Sequence, residues 1–195
     1  MAYQSIWYFS DLPKDVVEIL DRDLCTHFDN QMHESRLHGD TLDKKRRNSK
    51  NTWVPTNHWI SGFLWHYIQK ANRDNFLYDL SHIDGETLQY TRYEKGEYYN
   101  WHKDSGISIN YEPRMNNISE GNTTDNTEVH LDYLNQKTEY VRKLSFTLQL
   151  SSPDDYEGGN VQLIDDSGLT YIAPRQRGCI ISVSYTHLRA HETSY

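Results

Sequence analysis

Apolar residues in the first third of the chain recur at helical spacing in two segments. The first segment follows Ser10-Asp11-Leu12-Pro13, which offers an N-cap side chain and a proline for the first turn of a helix. Its apolar residues are Val16, Val17, Ile19 and Leu20. The second segment follows Pro55, and its apolar residues are Ile60, Phe63, Leu64, Tyr67 and Ile68. Both segments are predicted to be scaffold helices, the second packed against the outside of a sheet.

From about Leu88 onward the pattern changes to short alternating segments separated by turns, which is typical of a jelly roll or a related double-stranded β-helix. The clearest alternation sets one apolar face against one polar face: Leu144, Phe146, Leu148 and Leu150 against Ser145, Thr147 and Gln149. The polar face of such a strand meets either bulk water or an internal cavity. The predicted fold class is therefore mainly β with flanking N-terminal helices.

One domain accounts for these patterns, because a chain of 195 residues can bury a single good core. Residues 1–87 are predicted to form an N-terminal helical support region of that domain, and residues 88–182 its β core. Residues 107–139 are rich in Asn, Thr, Asp and Glu and have few apolar positions. They are predicted to form a polar insert within the core, either a long loop or a lid.

His102 and Asp104 are the residues most indicative of chemistry. They lie two positions apart on a predicted strand, where side chains at i and i+2 share a face, so that one metal ion can bind both. A histidine and a carboxylate make up two thirds of the facial triad that holds Fe(II) with open positions. The pair alone occurs often by chance, but it ends a longer pattern, Tyr93-x-x-Gly96-x-x-Tyr99-x-x-His102-x-Asp104.

This pattern resembles the metal-binding strand of the 2-oxoglutarate and Fe(II)-dependent dioxygenases, in their prolyl 4-hydroxylase-like branch. The segment from Arg142 to Leu163, which includes Gly158-Gly159, is similar to the strand and hairpin that follow in that family. The resemblance implies a double-stranded β-helix core of the jelly-roll or cupin-like kind. It also implies hydroxylation of an unactivated carbon in a peptide or small molecule, using Fe(II), 2-oxoglutarate and O₂, with ascorbate as an optional reductant.

The resemblance further implies roles for individual residues. His102 and Asp104 would be the metal ligands and the catalytic centre, and the carboxylate favours hydroxylation over halogenation. Tyr93 and Tyr99 correspond to positions near the co-substrate or the iron pocket, with aromatic packing inside a barrel as the alternative. Gln149 would lie near the distal carboxylate of 2-oxoglutarate. Trp101 is predicted to point away from His102 into the core, because neighbouring strand residues face opposite sides.

The resemblance continues through Pro174 to Ile181 and is then lost. Relatives continue to a third iron ligand and to a basic residue that binds 2-oxoglutarate. One interpretation takes His187 or His191 as that ligand and Arg189 as the basic residue. We favour the other, in which residues 183–195 are a non-native tail, because both histidines are out of register and the segment resembles translated sequencing adapter. The β core is therefore expected to be C-terminally incomplete.

The net charge of −8 argues against a general nucleic-acid surface, which would need clustered positive charge. One short stretch of this acidic chain is basic and contains Lys44, Lys45, Arg46, Arg47 and Lys50. A solvated loop explains this run most simply, and contact with an acidic substrate is the alternative. His58, His66 and His82 are expected to be structural or surface histidines.

A cytoplasmic protein with reduced thiols is expected. The sequence has no leader-like or bilayer-length apolar segment, and its cysteines, Cys25 and Cys179, are far apart and are predicted to be buried. Two alternatives to a hydroxylase stay open. One is a jelly-roll module that binds a metal or ligand without turnover, and the other is an inactive fragment of the dioxygenase.

Overall fold

The computed structural model describes residues 6–37, 41–80, 88–102, 108–111, 138–141, 143–164, 167–184 and 189–194, the backbone alone for 108–111, 138–141 and 189–194. Two helices are described, α1 (Lys14–Phe28) and α2 (Trp59–Ala71). A short 3₁₀ turn (Asp29–Gln31) follows α1, and a π-helical turn (Asn72–Phe76) follows α2.

Strands make up most of the remaining regular structure. Those before the second half of the chain are β1 (Ile6–Phe9), β2 (His33–Glu34), β3 (Arg47–Asn48), β4 (Lys50–Val54), β5 (Leu88–Arg92) and β6 (Tyr98–His102). Those that follow are β7 (Ser108–Tyr111), β8 (Thr138–Val141), β9 (Leu144–Leu148), β10 (Gly158–Ile164), β11 (Thr170–Ile172), β12 (Ile180–Ser184) and β13 (Arg189–Ser194).

The strands form separate antiparallel sheets. A three-stranded sheet has the order β1-β12-β9, a five-stranded sheet has the order β11-β10-β13-β6-β3, and a second three-stranded sheet has the order β2-β4-β5. Residues 1–105 and 143–195 form one compact unit that contains these sheets. Residues 106–142 form a second unit, in which β7 pairs with β8.

Both helices pack on one face of the β1-β12-β9 sheet. Leu20 and Ile60 are fully buried in a cluster that also receives Phe146 and Leu148 from β9, which confirms that α2 packs against the outside of a sheet. The predicted N-cap of α1 is wrong, because the cap position is Pro13 and no side chain caps the helix. Ile19 is exposed, since it lies on the helix face away from this cluster.

The opposite face of the β1-β12-β9 sheet packs against the five-stranded sheet. Ile181 of β12 and Leu163 of β10 are buried in one cluster, against which Ile6 of β1 and Val161 of β10 also pack. Thr147 of β9 is the direct partner of Ile181 across the strand pair, so the two side chains share a face. The polar face of β9 is therefore turned toward the five-stranded sheet, whereas its apolar face meets the helices.

One extended segment connects the five-stranded sheet to the β2-β4-β5 sheet. Its first half, β3, pairs with β6, and its second half, β4, pairs with β5. Ser49 lies between the two halves, and its carbonyl accepts a hydrogen bond from Ser35 N at 2.9 Å. The segment thus ties β6 to a strand pair of a different sheet.

A mainly β protein with two N-terminal helices is confirmed. The region before β5 also contributes strands, which the apolar spacing did not predict. The strand pairing among the described residues gives separate sheets, so a closed double-stranded β-helix stays a prediction. Cys179 is buried as expected, but Cys25 of α1 is exposed, so the prediction that both thiols are buried is wrong for Cys25. No helix in the described part of the chain is long and apolar enough to cross a bilayer.

Candidate metal site

A β-bulge at the end of β6 shapes the surroundings of His102. Tyr99 pairs with position 192 of β13 and His102 with position 190, so β6 has one more residue than its partner over this interval. In a regular strand Tyr99 and His102 would point to opposite faces, because they are three positions apart. The bulge brings both onto one face, and their rings stack with centroids 3.6 Å apart and planes at 13°.

Trp101 lies on the face of β6 opposite His102, as strand alternation predicted. Its side chain is 40% exposed, however, so the prediction that it belongs to the core is wrong. His102, by contrast, is only 7% exposed. Asn100 is exposed, like Trp101. Its backbone N–H donates to Arg46 O at 2.9 Å, and its side-chain amide donates to Lys45 O at 2.8 Å.

The imidazole of His102 has a defined tautomer. Its Nδ1 lies 2.8 Å from the carbonyl oxygen of Asn100. A carbonyl oxygen can only accept a hydrogen bond, so Nδ1 carries the proton and donates it. The neutral ring then has its lone pair on Nε2. Histidines that bind metals commonly show this arrangement, in which one ring nitrogen donates to a carbonyl and the other binds the ion.

Tyr99 contacts both His102 and a buried arginine. Arg47 of β3 is the cross-strand partner of Tyr99, and its Cζ lies 4.7 Å from the centre of the Tyr99 ring. Only 7% of the Arg47 surface is exposed. A guanidinium over an aromatic face at this distance is a cation–π contact, which is stronger where water is excluded.

Hydrogen bonds fix Arg47 on its other side. Its Nη2 donates to Gln89 Oε1 at 2.6 Å, and its Nε donates to Ser49 Oγ at 3.1 Å. Ser49 Oγ in turn donates to Ser35 Oγ at 2.8 Å. Gln89 belongs to β5 and Ser35 follows β2, so the guanidinium is held by elements of a second sheet.

The site lies on the inner face of the five-stranded sheet. His102 pairs with position 190 of β13, and position 190 pairs with Leu163 of β10. Directly paired residues share a face of the sheet, so His102 and Leu163 lie on the same face. Leu163 packs toward Ile181 of the opposite sheet. His102 and Tyr99 therefore face the same interior layer as the polar face of β9.

The other predicted site residues are only partly brought together with His102. Gln149 follows β9 on the polar face that is turned inward, and its backbone bonds to Cys179 O at 2.9 Å and to Gly178 N at 2.7 Å. Tyr93 follows β5 and is half-buried. Asp104 and His187 lie outside the described residues. The backbone of His191 lies in β13, one position beyond the residue that pairs with His102.

Arg47 is the site residue that sequence reasoning missed, because the whole basic run was expected to be a solvated loop. The other cations of the run fit that expectation better. Lys44 pairs with Glu34 on the surface, and Lys50 pairs with Glu94 at 2.7 Å. The hydrogen bond between Lys50 and Glu94 raises the pKa of the lysine and lowers that of the carboxyl. The extended pattern that begins at Arg47 could have separated this residue from its neighbours.

A divalent metal fits what is described of this site. His102 is buried and offers Nε2, an imidazole nitrogen that suits iron and related ions. Where side chains are described, no group of three potential ligands lies together. A metal held by His102 would therefore need at least one ligand from outside the described side chains, and Asp104 is a candidate.

The fold has clear structural relatives. A prolyl-4-hydroxylase from Pseudomonas putida matches with a TM-score of 0.65 at 13% identity, over 97% of this chain and 85% of that one. A prolyl hydroxylase from Trichoplax adhaerens, solved with a hypoxia inducible factor peptide fragment, matches with a TM-score of 0.67 at 12% identity, over 97% and 77%. The viral collagen prolyl hydroxylase of Paramecium Bursaria Chlorella virus-1, in its 2OG complex, matches with a TM-score of 0.53 at 15% identity, over 97% and 95%.

Sequence comparison adds nothing to these structural matches, since no protein-family profile and no curated protein matches the chain. At such low identity the likeness is one of fold. The chain has the fold of prolyl hydroxylases. Its activity is a separate question, because one fold supports many functions.

Proposed function

We propose that this protein is an Fe(II)- and 2-oxoglutarate-dependent oxygenase of the prolyl hydroxylase type. The observation that carries the proposal is the buried His102 on the inner face of a sheet, whose Nδ1 donates to a carbonyl as it does in many metal-binding histidines. The fold shared with three prolyl hydroxylases supports the same assignment. A closed double-stranded β-helix core is part of the proposal.

His102 and Asp104 would hold the metal in this proposal. Because Nδ1 donates to the Asn100 carbonyl, Nε2 would be the ring nitrogen that binds the ion. The stacked ring of Tyr99 restricts rotation of the imidazole. Asp104, two positions further on, would add a hard anionic oxygen. When bound, Fe(II) with 2-oxoglutarate and O₂ would supply the oxidising chemistry for hydroxylating a carbon.

The interior layer between the two sheets is the proposed place of the co-substrate. Tyr93 and Tyr99 would line it from one side and Gln149 from the other, where β9 turns its polar face inward. Packing of Tyr99 on His102 would also shield one face of the imidazole ring from water. A peptide is the proposed substrate class, because one structural relative was solved with a peptide fragment; a small molecule is the alternative.

Succinate formation from 2-oxoglutarate tests the proposal. We expect the full chain to bind Mn(II) in a calorimetric titration and to form succinate when Fe(II) is supplied. His102→Ala should abolish both, because it removes a buried ligand. His66→Ala is the matched control, since it removes an exposed histidine of α2 and should change neither.

The outcomes separate the three candidate functions. Mn(II) binding with succinate formation supports the oxygenase. Mn(II) binding that depends on His102 without succinate would indicate a binding module and would contradict the proposed activity. Weak binding that His102→Ala leaves unchanged would indicate an inactive fragment and would remove His102 from the site.

A further inference from the structure

We propose that Arg47 is a positioning residue of this site, which acts through Tyr99 to hold the imidazole of His102 in its metal-binding orientation. The inference rests on the proposed function, because it concerns the same site. It assigns a role to a residue of β3, far from β6 in sequence. Arg47 touches neither the metal ligand nor the reacting atoms directly in this scheme.

The first step is the contact between Arg47 and Tyr99. The two residues are direct partners across the β3–β6 pair, so their side chains leave the sheet on the same face. The guanidinium carbon lies 4.7 Å from the ring centre. Because Arg47 is almost completely buried, water does not compete with this contact. The tyrosine ring therefore has a fixed cation against it.

The second step is the support behind Arg47. A guanidinium offers several N–H donors in a rigid plane, and two of its nitrogens here are bound to Gln89 and Ser49. Gln89 lies 42 positions along the chain from Arg47, in the sheet that β4 joins. Ser49 is itself held by Ser35. The plane of the guanidinium is thus set by a second sheet.

The third step is the effect on His102. The Nδ1 hydrogen bond to Asn100 fixes one edge of the imidazole but leaves the ring able to tilt about that edge. The Tyr99 ring, stacked at 3.6 Å and nearly parallel, removes this remaining freedom. The direction of the Nε2 lone pair is then decided by the position of Tyr99, and the position of Tyr99 by Arg47. Groups that orient metal ligands in this way typically change metal affinity by about 10–100-fold.

A purely structural role for Arg47 is the competing explanation. Arg47 connects β3 to β5, so its loss should lower the stability of the fold in either case. A structural tie alone, however, predicts unchanged metal affinity in the protein that remains folded. It also predicts an unchanged environment for the imidazole of His102. Metal affinity and the ring environment therefore separate the two roles.

Arg47→Met in the full chain is the test, because methionine keeps an unbranched side chain but has no charge and no donors. We expect Mn(II) affinity, measured by calorimetry, to fall by about 10–100-fold. Arg177→Met is the matched control. Arg177 also bridges two elements, with Nη2 bonded to Asp21 and Nε bonded to Leu150 O, so its loss should affect stability and leave Mn(II) affinity unchanged.

A second measurement uses the metal-free protein. The ring current of Tyr99 should shift the carbon-bound imidazole protons of His102 upfield in the NMR spectrum, and His102→Gln identifies these signals. Arg47→Met should move them toward the values of an unstacked histidine. Arg47→Lys keeps the positive charge but loses the planar set of N–H donors. Compared with Arg47→Met, it should therefore recover part of the His102 shift and part of the Mn(II) affinity.

The outcomes distinguish failure of this inference from failure of the proposed function. If the wild-type chain binds Mn(II) through His102 and Arg47→Met binds it equally well with unchanged His102 signals, the positioning role is wrong and the oxygenase proposal stands. If the wild-type chain binds no Mn(II), the oxygenase proposal is wrong, and the metal-free NMR shift still decides whether Arg47 orients the ring.

A milder variant keeps the inference testable if Arg47→Met does not fold. Gln89→Met removes the acceptor of the Nη2 hydrogen bond and leaves Arg47 in place. We expect a smaller shift of the His102 signals in the same direction and a smaller loss of Mn(II) affinity. Unchanged values for both would overturn the inference.

Discussion

Gly178→Ala should destabilise this protein by more than the same substitution at Gly96. Both glycines occupy the third position of a four-residue turn closed by a hydrogen bond, from Cys179 N to Gln176 O and from Glu97 N to Glu94 O, each 2.9 Å. Both have positive φ, +82° at Gly178 and +79° at Gly96. The two positions therefore share one backbone cost, which is about 1–2 kcal/mol for a residue with a Cβ.

Packing distinguishes the two positions. A Cβ at Gly178 would lie 2.7 Å from Val17 Cγ2 of α1, whereas a Cβ at Gly96 would meet nothing within 4 Å. Val17 is buried against β12, so the turn, the Val17 side chain or α1 must shift to relieve the overlap. Overpacking of this kind costs about 1–3 kcal/mol. The total is about 2–5 kcal/mol at Gly178, against about 1–2 kcal/mol at Gly96.

Urea unfolding followed by circular dichroism measures the difference. We expect similar slopes and a lower midpoint for Gly178→Ala than for Gly96→Ala. Thermal midpoints should separate in the same order, by about 2–4 °C for each kcal/mol in a chain of this size. Equal losses for the two variants would refute the argument, because they would show that the contact between the turn and α1 contributes nothing.

Two further predictions concern pH and the end of the chain. Burial raises the pKa of Tyr90 above its ordinary value of 10.0, so the unfolded state loses this proton first as pH rises. The stability that the neutral phenol contributes is complete below the ordinary pKa and is lost as pH rises from there toward the raised pKa of the folded state. The free energy of unfolding, measured in urea, should therefore fall more steeply with alkaline pH in wild type than in Tyr90→Phe. His187→Ala and His191→Ala should leave Mn(II) affinity unchanged, because the segment from 183 is predicted to be non-native. A loss of affinity in either variant would make that histidine the third ligand.

Local pattern was sufficient for the helices and for the strand β9. Helical hydrogen bonds join residues four apart, so apolar spacing over a few turns identified α1 and α2 and the faces that Leu20 and Ile60 bury. Alternation in the same way separated the two faces of β9. The N-terminus of α1 was less well predicted, because Pro13 occupies the N-cap position and no side chain caps the helix.

The bulge in β6 was not predictable from alternation. Strict period two separated Tyr99 from His102, whereas the extra residue in β6 puts the two rings on one face, where they stack. A bulge depends on the register of the partner strand β13. That register is a property of two segments far apart in sequence, so it is absent from the local pattern around His102.

The sequence by itself predicted a metal site, because the residues from Tyr93 to Asp104 resemble the metal-binding strand of a known family. Only the tertiary structure decided how His102 is held. Arg47 reaches Tyr99 because β3 pairs with β6, and it reaches Gln89 because the same segment continues into a second sheet. Contacts of this kind form between strands that are distant in the sequence, and their partners are chosen by packing and burial rather than by neighbouring residues.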